Sequence, residues 1–203
     1  MRLYALTILR RRSDETEPTL LSAAYELSDF NYFQRSSVRE FAAFFAKLIA
    51  KRVTLGERLS VDHENYVCYA YARVNGVIAV ALCDAEYPQR VAFSLLGQVL
   101  DEFRRTFPES QYLQVPAEAI QVREFPYLAD RLQRYQNPAE ADPLMRIEKD
   151  LDETKSTLHQ TIDSILERGV KLDQLVDKSN DLSLQSKMFY RTARKQNSCC
   201  NLS

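Results

Sequence analysis

The sequence is poor in the residues that most enzymes need. Its four glycines, Gly56, Gly76, Gly97 and Gly169, make neither a phosphate-cradling loop nor a dinucleotide fingerprint, which excludes a small GTPase. It has two histidines, His63 and His159, with no cysteine or carboxylate at ligand spacing, so neither a metal nor a catalytic role is expected of them. Carboxylate pairs such as Asp101–Glu102 and Asp152–Glu153 fall on predicted helix surfaces as solvated faces, and no cofactor is expected. No stretch approaches the roughly 20 apolar residues of a membrane-spanning helix. The apolar run Leu3–Leu9 precedes the basic Arg10, Arg11 and Arg12, the reverse of a secretory leader, so a cytosolic chain is expected. A net charge of −1 supplies no bulk attraction to nucleic acid, and no nucleic-acid partner is expected.

What is present, 45% hydrophobic and 27% charged residues over 203 positions, suffices for one ordinary domain and an extension. The first two thirds read as an α+β domain. Leu3–Leu9 is apolar on both faces, as a central strand is, and Leu20–Leu27 is a second strand antiparallel to it. Ser37 with Glu40 forms a capping box ahead of a helix bearing Val38, Phe41, Ala42, Phe44, Phe45, Leu48 and Ile49. Strands at 58–63, 66–74 and 77–83 follow, the last two joined by Asn75-Gly76, a two-residue hairpin signal. Pro88 opens a helix reaching Thr106, and a short helix at 127–135 precedes the Asn137-Pro138 break. The order predicts a mostly antiparallel sheet between helices, with Cys68 and Cys83 as small buried hydrophobes.

From Leu144 onward the pattern changes. Leu144, Ile147, Leu151, Leu158, Ile165, Leu172, Leu175, Leu182, Phe189 and Ala193 fall on a register of alternating steps of three and four, a heptad seam whose other steps include Thr154, Thr161, Ser179 and Ser186. A two-in-seven stripe wants partner helices, because packing on a globular core favours a broader face. One step falls on Arg168. Two guanidinium groups facing each other in a homodimer would be unfavourable, so the register points to heteromeric partners that supply oxygens to its five donors. The last four residues, Cys200-Asn201-Leu202-Ser203, fit a prenylation signal whose terminal Ser favours farnesyl, and Cys199 offers a second lipid site, palmitoyl or prenyl.

Several blocks resemble a known family. Asp152-Glu153-Thr154-Lys155, Leu166-Glu167-Arg168-Gly169, Lys171-Leu172-Asp173 and Thr192-Ala193-Arg194-Lys195-Gln196-Asn197-Ser198-Cys199-Cys200 are similar to the prenylated, longin-class R-SNAREs, synaptobrevin-like vesicle SNAREs with a lipid anchor. Tyr87-Pro88 with Arg90-Val91-Ala92-Phe93, and Arg134-Tyr135-Gln136-Asn137-Pro138, resemble the amino-terminal longin domain and linker of that family. The family usually ends in an aliphatic pair and Met, a pattern from which Asn201-Leu202-Ser203 departs. The resemblance implies a longin (profilin-like) domain at 1–130 with a five-stranded antiparallel sheet, a linker at 131–143, a long helical SNARE motif at 144–196 and a lipidation tail at 197–203. It implies that Arg168 is the ionic zero layer of a four-helix bundle with three Q-SNARE helices.

The expected function is zippering that drives vesicle-membrane fusion, with no covalent chemistry. Lipid anchors imply cycling between cytosol and the cytosolic face of Golgi, ER-derived, endosomal or vacuolar membranes. The exposed stripe and the aromatic row Phe41, Phe44 and Phe45 point to a regulatory groove on which the stripe and lipid fold back. A lipid-anchored tether or trafficking adaptor without fusogenic activity is the competing reading.

Overall fold

Alternation places successive strand residues on opposite faces, and here both faces are covered. The computed structural model describes residues 1–12, 17–112, 125–138, 157–166 and 169–199, with side chains of the last stretch as far as Arg194. Its elements are β1 (Leu3–Arg10), β2 (Thr19–Tyr25), α1 (Tyr32–Arg52), β3 (Arg58–His63), β4 (Tyr66–Ala72), β5 (Val77–Asp84), α2 (Gln89–Thr106), α3 (Glu109–Tyr112) and α4 (Pro126–Arg134). Four more follow: β6 (Thr157–Thr161), α5 (Ile162–Ile165), α6 (Leu172–Lys178) and α7 (Leu184–Cys199). On β4, Val67, Tyr69 and Tyr71 face one core, with α2 and α4, while Cys68, Ala70 and Ala72 face the other, with α1. Burial pushes the Cys68 thiol up to about 12 and Cys83 well above its ordinary value, consistent with two inert core side chains.

The sheet runs β2-β1-β5-β4-β3-β6. Five strands pair antiparallel as expected, but a sixth, β6, pairs parallel with β3 from Arg58↔Thr157 to Asp62↔Thr161. That strand comes from the heptad segment. The expected long helix is therefore, among the described residues of this free chain, one strand and three helices. Without partner helices a two-in-seven stripe has nothing to bury against, and docking on a domain is the alternative.

Two local readings are corrected. Helix α1 starts not at Ser37 but at Tyr32, with Asn31 as its cap: Gln34 N–H donates to Asn31 Oδ1 at 3.1 Å. Its first aromatics, Tyr32 and Phe33, are both 79% exposed, so the apolar periodicity begins after the helix does. The β4–β5 connection is also longer than two residues. Arg73 N–H donates to Val77 O at 2.8 Å and Gly76 N–H to Arg73 O at 3.0 Å, leaving Val74, Asn75 and Gly76 as the loop. Only Gly76 has a positive φ there, +88°, as in a turn followed by a glycine bulge. Its missing Cβ also admits Arg11, whose carbonyl oxygen would lie 2.4 Å from a Cβ at this position.

Candidate functional site

The side of the domain formed by α1 and β3 is where the heptad segment lies. β6 attaches first, and His159 Nε2 lies 2.8 Å from Asp62 Oδ2 across the β3–β6 pair. Beyond it, Ile162, Ile165, Leu166, Leu172, Val176 and Leu182 are buried in the same core as Phe41, Ile49 and Val61. Fully burying each such side chain contributes about 1.5–3 kcal/mol. Ordering each backbone residue costs about 1–2 kcal/mol. That cost is set against these burials together with the β3–β6 pairing and the polar contacts of the last helix.

Polar contacts fix the last helix. Ser183 N–H donates to Glu40 Oε2 at 2.8 Å, and Ser186 N–H to Ser183 Oγ at 3.2 Å, so one carboxylate of α1 holds the start of α7. Burial alone would raise the Glu40 carboxyl, but the hydrogen bonds from Ser183 and Ser186 outweigh it and leave the group below its ordinary value. Tyr190 Oη donates to Asp173 Oδ1 at 2.9 Å and Arg191 lies 2.8 Å from Asp177, joining α7 to α6. The Tyr190 ring stacks on Phe41 at 5.5 Å between centroids. Beneath this stack is a cleft of about 250 Å³ whose lining includes Phe41, Phe45, His63, Tyr66, Phe189 and Tyr190.

Of the aromatic row, the structure brings Phe41 and Phe45 to this cleft; Phe44 packs edge-on against both and lines a second cleft farther along α1. Of the seam, Ile165, Leu172 and Leu182 are buried, Leu175 and Phe189 half-buried, Ala193 partly covered, and Leu158 is half exposed on β6. Leu144, Ile147, Leu151, Arg168 and Cys200 lie outside the described residues, as does the side chain of Cys199. The heptad register misses Ile162, Leu166, Val176 and Tyr190, which the docked face uses. Their signal was available as a stripe wider than two in seven, with Ile162 and Leu166 beside Ile165, and Val176 beside Leu175.

His63 supplies a pH dependence. Burial in the cleft lowers its imidazole below the ordinary value of 6.5, with Glu64 and Asp163 opposing and Arg194 assisting. Releasing α7 opens the cleft and restores the ordinary value, so the docked form binds fewer protons than the released one. His63 therefore leaves docking intact above 6.5 and weakens it as pH falls through the lowered pKa. Amide exchange in α7 should rise between about pH 7.5 and about pH 5.5, after correction for intrinsic exchange, and His63→Phe should abolish the rise.

The two partners in this interface have known relatives. The Longin family model, a Regulated-SNARE-like domain, matches residues 27–127, and the Synaptobrevin model matches residues 143–201. The chain is 49% identical over 202 residues to the VAMP-like protein YKT61 of Arabidopsis thaliana, with all of both chains covered. It is 46% identical to the synaptobrevin homolog ykt6 of Schizosaccharomyces pombe and 42% identical to the synaptobrevin homolog YKT6 of Candida glabrata, with 98% of each chain covered. The chain belongs to the longin-class R-SNARE family. The docking interface thus lies between a longin domain and the SNARE segment of one R-SNARE chain. An R-SNARE pairs with other SNARE helices in vesicle fusion, so the chemistry of this surface is binding and not catalysis. No helix among the described residues is long and apolar enough to cross a membrane.

Proposed function

We propose that residues 144–196 of this R-SNARE exist in two exclusive states, docked on the longin domain or zipped with three Q-SNARE helices, and that zippering draws two membranes together. The observation that carries the reading is the burial of Ile165, Leu172 and Leu182, three seam residues, against the chain's own domain. A side chain buried there is not available to a bundle, so the longin domain competes with the partners and regulates the chain. Arg168 sits at the ionic layer of the bundle. Cys200 and Cys199 carry the lipid anchor, and the apolar cleft beneath Tyr190 receives the prenyl chain when the protein leaves the membrane for the cytosol. The tether reading is served by the same coiled coil without fusion. Vesicles bearing the lipidated protein, mixed with vesicles bearing three Q-SNARE helices, should exchange lipid; docking without lipid mixing would favour the tether.

Gly169 belongs to the switch. Its φ is +86° in the docked chain, between α5 and α6, whereas a continuous bundle helix requires φ near −63°. Among the described residues other than its chain neighbours, no atom lies within 4 Å of a Cβ built there, so a substitution acts chiefly through the backbone. Gly169→Ala should disfavour the docked turn by about 1–2 kcal/mol and favour the helix by about 1 kcal/mol. Capture by Q-SNARE helices, followed by fluorescence, should become faster by roughly tenfold or more.

A further inference from the structure

A second cleft, of about 410 Å³, opens where the carboxyl-terminal half of α1 meets α6, on a different side of α1 from the aromatic cleft. Four cations line it: Lys47, Lys51 and Arg52 from α1, and Lys178 from the docked segment. Two carboxylates already sit among them. Asp181 lies 2.8 Å from Lys47, and Glu17 lies 2.5 Å from Lys51. Lys178 has no ion pair among the described residues. Arg52 has an interaction of its own, and among the described lining residues cations outnumber carboxylates, four to two.

We propose that this cleft is a binding site for a compact polyphosphate, of the kind presented by an inositol polyphosphate, either free or as a phosphoinositide headgroup. Four cations around one volume match several phosphate groups better than a single one. The volume lies within the roughly 300–1,000 Å³ of ordinary small-ligand pockets. The two internal ion pairs are partly exposed, at side-chain accessibilities of 26%/54% and 41%/62%, and such pairs hold weakly. A phosphate carrying more charge than a carboxylate displaces Asp181 from Lys47 and bridges α1 to Lys178. Since Lys178 comes from the docked segment, the complete site rests on the docked form described above.

The test uses the full chain without lipid modification, titrated with inositol 1,4,5-trisphosphate by calorimetry at low ionic strength, with amide exchange of α7 recorded on the same samples. Binding is expected, weakened about threefold to fivefold by Lys47→Gln and by Lys178→Gln, and strengthened by a similar factor by Asp181→Asn, which removes the internal competitor. No binding in a sample whose α7 is protected would overturn the site while leaving the docked form standing. Binding insensitive to Lys47→Gln and Lys178→Gln, or weakened by Asp181→Asn, would overturn it as well. Vesicles of phosphatidylcholine with phosphatidylinositol 4,5-bisphosphate, against phosphatidylserine vesicles of equal charge, separate the sources. Selective capture by the first assigns the site to the headgroup, and binding of the soluble trisphosphate alone assigns it to the free form.

Discussion

Phe41→Asp should free the SNARE segment while leaving the longin domain folded. Phe41 is 8% exposed, and it is the side chain on which Tyr190 stacks and against which Phe44 and Phe45 pack. Removing a buried Phe costs about 3–5 kcal/mol. A carboxylate in its place adds the cost of its own desolvation. The penalty falls mainly on the docked state, because in the released state α7 is gone and water reaches residue 41. A loss of this size shifts the equilibrium from the docked toward the released segment. The expected result is protease sensitivity across residues 157–199, unchanged far-ultraviolet signal from the sheet, and capture of Q-SNARE helices at least about tenfold faster. Phe44→Asp should do less, because Phe44 lines the other cleft and makes no stack with Tyr190.

The second large effect is expected at Arg168. In the proposed bundle its guanidinium would be surrounded by side-chain oxygens of the partner helices, and Arg168→Leu would leave those buried polar groups without donors, each at a cost of about 1–3 kcal/mol. The same substitution completes an uninterrupted apolar seam from Ile165 to Leu172 and removes the charge that disfavours self-pairing. Two outcomes follow together: lipid mixing with Q-SNARE vesicles falls, and the variant self-associates in sedimentation where the parent does not. A surface arginine would show neither. A stable but misaligned bundle would show the first alone.

Much of this was legible from residue order. The strand at 58–63, the helix opened by Pro88 and the break at Asn137-Pro138 follow from local rules, because proline position and alternation act within a few residues. The heptad seam was equally plain, but it describes the partnered state. What the free chain does with the same residues depends on a competition that local pattern does not encode. Thr157–Thr161 becomes an edge strand because β3 offers unpaired backbone groups, and no propensity of Leu158-His159-Gln160 demands it. Ile162, Leu166, Val176 and Tyr190 enter the docked face because a domain surface accepts a wider stripe than a coiled coil does. Phe41 could be placed on the right helix from sequence, but its stack with Tyr190 joins residues far apart in the chain.

The exclusivity of the two states is best measured at β3. In the free protein its amides share a sheet with Thr157–Thr161, whereas the proposed bundle would make that segment helical, with Leu158 in a layer. Hydrogen exchange of the full chain, alone and after assembly with three Q-SNARE helices, reports both segments at once. The account predicts that assembly increases protection at residues 157–196 while β3 loses the protection that β6 gave it. Simultaneous protection of β3 and of the assembled segment, at their docked and bundled levels, would contradict it.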